Sequence, residues 1–301
     1  MLIELKDTSS RDIAAALIDL RRHSGSASGL VLTLLIVSEG SHFEEALEAA
    51  RASATAHPSR VIVITAVEAE EPRLDATVQV GEGLPGDLIV LKLYGSLSEH
   101  SDAICLPLLL PDSPTIAWWP REAPARLVDD PVGSLADRRI SDAAGSDDPQ
   151  SALLLRARNL APGDTDLAWT RLTSWRALLA AALDQTRSSI TGGTVTAAAD
   201  NAPATLLSAW LSERLGVDVG VEVVEEYPGV NSVVLNTEKG DISLRRTAAG
   251  SAAYQTPGQP ERTVALRRRP LTDLLTEELE RMDIDATFEA AAERVVRAAS
   301  L

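Results

Sequence analysis

The chain has 301 residues, of which 45% are hydrophobic and 24% charged, and its formal net charge is -16. This composition is that of a globular protein with room for two domains. Because a strongly acidic surface repels phosphate backbones and anionic lipids, we expect no nucleic-acid partner and no membrane partner.

The beginning of the chain and its cysteine content favour a cytoplasmic protein. The charged residues Glu4, Lys6 and Asp7 follow the first methionine without the apolar core of a signal peptide. Apolar stretches such as residues 29–37 are too short to cross a bilayer. The single cysteine, Cys105, cannot form a disulfide within the chain, which fits a reducing compartment.

The first half of the sequence alternates between helical and strand patterns. A capping box at Ser9 begins one helix, and Ser41 begins a second helix that ends before Pro58. The strand patterns are apolar throughout, which indicates a sheet covered on both faces. The predicted strands span residues 30–37, 61–67, 76–80, 88–94 and 114–119. We expect a layered α/β N-terminal domain with a mostly buried sheet over residues 1–165.

A segment rich in turn-forming residues follows these strands. Residues 121–150 contain many proline, aspartate, glycine and serine residues, which predicts a surface loop with one short helix near Leu135. Residues 159–166 have the same character, and a helical pattern begins directly after them. We therefore place the domain boundary between residues 165 and 166.

The second half of the sequence is typical of an α+β domain. A helix over about 167–185 carries an apolar stripe that includes Trp175, and Pro203 opens another helix that Gly216 ends. The strand patterns are joined mainly by short turns, which predicts antiparallel neighbours. These strands span residues 194–199, 219–225, 232–235, 242–245 and 263–266. We expect an α+β C-terminal domain over residues 166–301, with an antiparallel meander flanked by helices.

One nucleotide-binding motif is matched in its letters only. Gly81 to Gly86 satisfies G-x-G-x-x-G, but a dinucleotide site requires a helix directly after the glycines. A strand pattern follows here instead, and Pro85 lacks an amide donor. The motif is therefore interpreted as a turn between strands.

No residue is assigned to catalysis, to a cofactor or to a metal. The sequence has no Walker A motif and no G-x-S-x-G elbow, and His23, His42, His57 and His100 with one cysteine give no zinc-ligand spacing. The basic run 267–269 is interpreted as a solvated strand end rather than a nucleic-acid patch.

The cysteine lies in an apolar segment. Cys105 stands between Ile104 and Leu106 and is followed by a proline and three leucines. We expect a buried thiol with a raised pKa and low reactivity.

Several dense strings of residues occur in a fixed order along the chain. They are LKLYG at 91–95, PLLLPDSP at 107–114, AWWP at 117–120, DRRISD at 137–142 and DLAWTRLTSWR at 166–176. Together they make nearly the whole chain similar to the glucose-6-phosphate dehydrogenase assembly protein (OpcA) family of actinobacteria and cyanobacteria. The resemblance implies a non-catalytic protein that binds glucose-6-phosphate dehydrogenase and supports its assembly or allosteric activation.

The resemblance also implies a place in metabolism. The partner enzyme opens the oxidative pentose phosphate pathway and supplies NADPH. Cyanobacterial members of the family are linked to thiol-based redox control, but Cys105 is the only cysteine here. A dithiol switch within this chain is therefore excluded.

Aromatic and arginine side chains in these strings are candidate contacts for a partner or ligand, because both are enriched at interface hot spots. Adjacent strand residues point to opposite faces, so we expect one indole of Trp118 and Trp119 in the core and the other more exposed. The alternative is that both pack under the following loop. Trp169 and Arg176 fall away from the apolar stripe of their helix and, with Arg171, are further candidates.

Arg138 and Arg139 complete the candidate set. They can meet an acidic partner or a sugar phosphate, or they can form salt bridges with nearby aspartates.

Two other functions stay open in the sequence. A sugar-phosphate enzyme of the lactone hydrolase type requires Tyr94, His100, Arg171 and Arg176 to converge on one pocket. A sugar-phosphate sensor requires a phosphorylated sugar that binds the protein and changes its affinity for the dehydrogenase.

Overall fold

We describe the protein from a computed structural model, which describes residues 1–24, 29–38, 43–81, 86–186, 188–225 and 227–300. The chain divides into two compact units. Unit 1 comprises Met1–Asp142, Ala161–Thr165 and Leu271–Ile284, and unit 2 comprises Ala143–Leu160, Asp166–Pro270 and Asp285–Leu301. Contacts thus group residues 143–160 with unit 2 and 271–284 with unit 1, and the linear boundary between 165 and 166 stays a prediction.

The first sheet has eight strands in the order β1-β4-β5-β3-β2-β6-β7-β8. They are β1 (Leu2–Leu5), β2 (Leu32–Val37), β3 (Ser59–Val67), β4 (Arg73–Val80), β5 (Asp87–Tyr94), β6 (Thr115–Trp118), β7 (Arg138–Ser141) and β8 (Asp164–Asp166). The strands from β5 through β3, β2 and β6 to β7 are parallel, whereas β4 is antiparallel to both β1 and β5. Consecutive residues of β2 and β3 are buried, as their uninterrupted apolar patterns predict.

The helices of unit 1 are α1 (Ser10–Ser24), α2 (Phe43–Ala56), α3 (Ser101–Cys105), α4 (Pro131–Ser134) and α9 (Leu271–Glu280), with short 3-10 turns at Gly95–His100, Leu106–Leu108 and Leu127–Asp129. The capping box at Ser9 is confirmed, since the amide of Asp12 donates to Ser9 Oγ at 3.3 Å. The predicted start of the second helix at Ser41, His42 and residues 82–85 of the glycine motif lie outside the described residues.

The second sheet has six strands in the order β10-β9-β11-β12-β13-β14. They are β9 (Ile190–Ala197), β10 (Val219–Val223), β11 (Val230–Thr237), β12 (Ile242–Ala248), β13 (Ser251–Gln255) and β14 (Arg262–Ala265). The helices of unit 2 are α5 (Pro149–Arg158), α6 (Leu167–Thr170), α7 (Thr173–Asp184), α8 (Ala202–Leu215) and α10 (Ala286–Ala298), with a 3-10 turn at Ala143–Gly145. Strands β11 to β14 form the expected antiparallel meander, so the predicted fold class is confirmed.

Three local predictions are wrong. The pattern over 219–225 is predicted to neighbour 232–235 antiparallel, but β10 pairs in parallel with β9, which lies between β10 and β11. The chain runs from β9 to β10 through α8, and such a crossover joins parallel strands. The segment predicted as a loop over 121–150 contains β7 and the start of α5, because β7 adds to the parallel sheet next to β6. The helix predicted over 167–185 is two helices, and the amide of Leu172 donates to Trp169 O at 3.0 Å. This bond spans three residues and tightens the turn, which separates α6 from α7 at Arg171.

The environment of Cys105 predicts an inert thiol. Its side chain is fully buried in the core of unit 1, and burial first, then the charge of Asp102, raises its pKa to about 12. At pH 8 roughly one thiol in ten thousand is then ionised. We expect no measurable reaction of the native chain with a thiol reagent in minutes and complete reaction in urea. Stoichiometric labelling of the native chain would contradict this.

Candidate functional site

A cavity of about 290 Å³ lies within unit 2 and is rich in arginine. Its polar lining residues are Arg171, Ser174, Asp200, Asn201, Arg246, Arg267, Arg268 and Arg269, and its apolar lining residues include Leu172, Trp175, Ala202, Pro203 and Val230. In the part of the chain that the structure describes, five guanidinium groups therefore share this lining with one carboxylate, although the formal net charge of the chain is -16.

The turn between α6 and α7 and the beginning of α8 form part of the cavity. Arg171 stands at the break between α6 and α7, outside the regular turns of either helix. Asp200 has a φ of 52°, which turns the chain into α8, and Asn201 Oδ1 accepts from the amide of Ala204 at 2.9 Å. Aspartate is among the residues that adopt this backbone region most readily. The helix start is thereby fixed at the cavity.

The second sheet and the segment after it supply the other arginines. Arg246 projects from β12, and residues 267–269 follow β14. Gly229, with a φ of 81°, forms the turn into β11 beside the cavity. Arg268 donates a hydrogen bond to Pro228 O in this turn, and Arg269 Nη1 donates to Thr170 O at 3.2 Å.

Arg246 is the buried cation of the cavity, with 6% of its surface exposed. Its Nη1 donates to Leu266 O at 2.7 Å, and its guanidinium carbon lies 5.7 Å from the centre of the Trp175 ring. Among the described residues, its hydrogen-bond acceptors are carbonyl groups and no carboxylate. Desolvation, and then the charge of Arg268, lower the pKa of Arg246. The cavity therefore holds a guanidinium that a bound anion would stabilise.

Arg171 is the predicted contact residue that lines this cavity. The run 267–269 also lines it, although the sequence is interpreted as placing that run at a solvated strand end. Arg267 and Arg268 are exposed, so the solvated part of that interpretation holds, but their position beside Arg246 is a finding of the structure.

Trp118 and Trp119 are both buried, so the prediction that one indole is more exposed is wrong. Trp118 is the last residue of β6, and Trp119 continues the pairing because its amide donates to Ile140 O at 3.0 Å. The Trp119 ring packs near Gly133 of α4, under the segment that follows the strand. Both indoles are buried, as the alternative of packing under the following loop requires, and the contact with that segment is seen for Trp119.

Arg138 and Arg139 form buried ion pairs within unit 1. Arg138 Nη2 lies 2.5 Å from Glu278 Oε2 of α9, and Arg139 Nε lies 2.5 Å from Asp164 Oδ1. Both arginines are about 95% buried or more, so they hold the fold together rather than face a partner. Arg139 thus pairs with an aspartate, as the salt-bridge interpretation expects, whereas the partner of Arg138 is a glutamate 140 positions away rather than a nearby aspartate.

Trp169 is a core residue of unit 2. Its ring centre lies 5.9 Å from that of Phe288, and its Nε1 donates to Asp285 Oδ2 at 2.9 Å. The half-buried Arg176 stacks its guanidinium carbon 3.7 Å from the centre of the Trp169 ring. The expectation that Trp169 faces a partner is therefore wrong, because α10 covers it.

Tyr94 and His100 belong to unit 1, whereas Arg171 and Arg176 belong to unit 2. Tyr94 ends β5 and stacks with Arg73, whose guanidinium carbon lies 4.0 Å from the ring centre. His100 is exposed at the end of a 3-10 turn. The lining of the arginine-rich cavity includes neither Tyr94 nor His100 among the described residues.

The described residues contain no group of three His, Cys, Asp or Glu side chains placed to hold a metal ion. None of their helices has the length and apolar character that crossing a membrane requires.

Two family models match the chain in order. Residues 50–158 match the model described as the N-terminal domain of a glucose-6-phosphate dehydrogenase subunit, and residues 162–292 match the model of its C-terminal domain. No curated protein sequence matches the chain.

Solved structures give only distant likenesses. A Sinorhizobium meliloti protein assigned as a myo-inositol dehydrogenase is 10% identical, with a TM-score of 0.46 over 88% of this chain and 94% of that chain. A dehydrogenase (MviM) from Clostridium difficile is 6% identical, with a TM-score of 0.45 over 89% and 97%. Sequence identities and TM-scores this low do not establish a shared activity.

Proposed function

The chain belongs to the glucose-6-phosphate dehydrogenase assembly (OpcA) family, and on this premise we propose that it is a non-catalytic binding partner of glucose-6-phosphate dehydrogenase. The observation that carries the proposal is the ordered match of both subunit domains over most of residues 50–292. The proposed effect is assembly or allosteric activation of the enzyme, in the cytoplasm and at the entry to the oxidative pentose phosphate pathway.

The proposal predicts a stable complex. When the purified chain and glucose-6-phosphate dehydrogenase from the same source are mixed at micromolar concentrations, we expect both to elute together from a sizing column with a mass above either alone. We also expect a change in kcat, in KM for glucose 6-phosphate, or in the oligomeric state of the enzyme. An unrelated NADP-dependent dehydrogenase serves as the control and is expected to elute separately.

Unchanged elution together with unchanged kinetics would overturn the proposal. The same mixture separates its two versions. Assembly changes the number of dehydrogenase subunits in the complex, whereas activation without assembly leaves that number unchanged and alters kcat or KM. A lactone hydrolase is the alternative function. It predicts lactone turnover by the chain without the dehydrogenase, and we expect none.

A further inference from the structure

We propose that the arginine-lined cavity of unit 2 binds a small phosphorylated metabolite of sugar-phosphate size, with Arg246 and Arg268 holding the phosphate. The site belongs to this chain by itself. Its test therefore needs no dehydrogenase, and its failure leaves the proposed complex untouched.

The charge pattern points to an anionic ligand. The chain is strongly acidic, yet among the described residues five arginines line one cavity with a single carboxylate, that of Asp200. Arg246 is buried, and the charge of Arg268 is close enough to lower its pKa. Like charges held together disfavour the folded state unless a counter-charge joins them, and a dianionic phosphate supplies that counter-charge.

The cavity is prepared for binding before a ligand arrives. Carbonyl groups of Leu266, Ala249 and Val230 hold the Arg246 guanidinium, and Pro228 O accepts from Arg268. A guanidinium fixed in this way loses little conformational freedom when it binds. Nε and Nη1 already donate to these carbonyl groups, and Nη2, for which the described residues offer no acceptor, is left to donate to phosphate oxygens.

The size and the remaining lining favour a small metabolite over a nucleotide cofactor. Ligand pockets commonly measure roughly 300–1,000 Å³, and this cavity lies at the small end of that range. Trp175 and Pro203 offer apolar surface to a sugar ring. Ser174, Asp200 and Asn201 offer hydroxyl, carboxylate and amide groups to sugar hydroxyls.

Isothermal titration of the full chain tests the ligand class. The probes are glucose 6-phosphate, inorganic phosphate, glucose and a short polyglutamate peptide, at the same ionic strength. We expect glucose 6-phosphate to bind with one site, phosphate to bind more weakly and to compete with it, and glucose and the peptide not to bind.

Variants locate the site. Arg268→Gln, and separately Arg246→Lys, are expected to weaken binding of glucose 6-phosphate by roughly ten-fold to a hundred-fold. Arg268→Gln removes a charge-assisted contact, whereas Arg246→Lys keeps the charge but loses the planar guanidinium that the carbonyl groups hold in place. The matched control is Arg245→Gln, which makes the same charge change as Arg268→Gln. Arg245 is exposed and, as the neighbour of Arg246 in β12, it lies on the opposite face of the strand. The control is expected to bind as the native chain does.

Four outcomes would overturn the proposal. They are no binding of either phosphate compound, equal binding of phosphate and glucose 6-phosphate, binding of the acidic peptide in preference to both, and equal losses in Arg268→Gln and Arg245→Gln. A circular dichroism spectrum of each variant shows that it is folded, and Arg268 is exposed, so its replacement tests the site even if Arg246→Lys unfolds.

Discussion

Replacement of Glu278 by alanine is expected to lower the free energy of unfolding of the protein by about 3–5 kcal/mol. Glu278 and Arg138 are each 3% exposed, and their side chains meet at 2.5 Å. Without the carboxylate, Arg138 keeps a buried charge whose described hydrogen bond is donated by Nη1 to Asp283 O at 2.9 Å. An uncompensated buried charge is far more costly than the loss of an exposed pair.

Urea unfolding of three variants measures this effect. The matched control is Glu280→Ala on the same helix, because Glu280 is 62% exposed at its side chain and lies 3.7 Å from His57. Its loss is expected to change stability by less than about 1 kcal/mol. The double variant Arg138→Met with Glu278→Leu removes both charges and is expected to regain most of the loss. Equal destabilisation by Glu278→Ala and Glu280→Ala would contradict the prediction.

This ion pair also shows which contacts a sequence pattern cannot predict. The residues of β7 lie in a segment full of turn-forming residues, and its two adjacent arginines give no strand signal. The partner of Arg138 stands 140 positions away in the chain. A pattern in a short window cannot contain such a partner, so both the strand and the burial of its arginines depend on tertiary contacts.

The parts that the sequence predicts well are those with local causes. Uninterrupted apolar runs predict β2 and β3, and the capping box at Ser9 predicts the beginning of α1. Short turns predict the meander from β11 to β14. The placement of α9 in unit 1 has no such local signal. Its amphipathic pattern predicts that one face of the helix is buried, but it does not predict which part of the protein covers that face.

The candidate site could be predicted from the sequence only in part. A triple arginine run in an acidic chain is a visible signal, and Arg171 is a contact candidate from the sequence beside Trp169 and Arg176. Their common cavity is not visible, because it forms where the α6–α7 turn, the start of α8, β12 and the segment after β14 meet. Charge alone indicates the chemistry, and the fold supplies the geometry.

Replacement of Trp169 by alanine is expected to lower the free energy of unfolding by about 3–5 kcal/mol. The indole fills the core of unit 2 against Phe288, and it also binds the residue that caps α10. Asp285 Oδ1 accepts from the amides of Thr287 and Phe288 at 3.0 Å each, while Oδ2 accepts from Trp169. The variant Trp169→Phe keeps most of the packing, so its expected loss is smaller, about 1–2 kcal/mol.

The pH dependence separates packing from the hydrogen bond. Burial raises the pKa of Asp285, but the indole N–H, the amides of Phe288 and Thr287 and the charge of Arg176 together hold it below its usual value. A carboxylate with a lowered pKa stabilises the fold above its unfolded pKa, and this stabilisation is lost as the pH falls through the folded pKa. Trp169→Phe removes one cause of the lowering, so the difference in unfolding free energy between it and the native chain should shrink as acid protonates Asp285. A difference that stays constant from neutral to acidic pH would mean that Trp169 acts through packing alone, and that the backbone amides and Arg176 hold the cap of α10 without it.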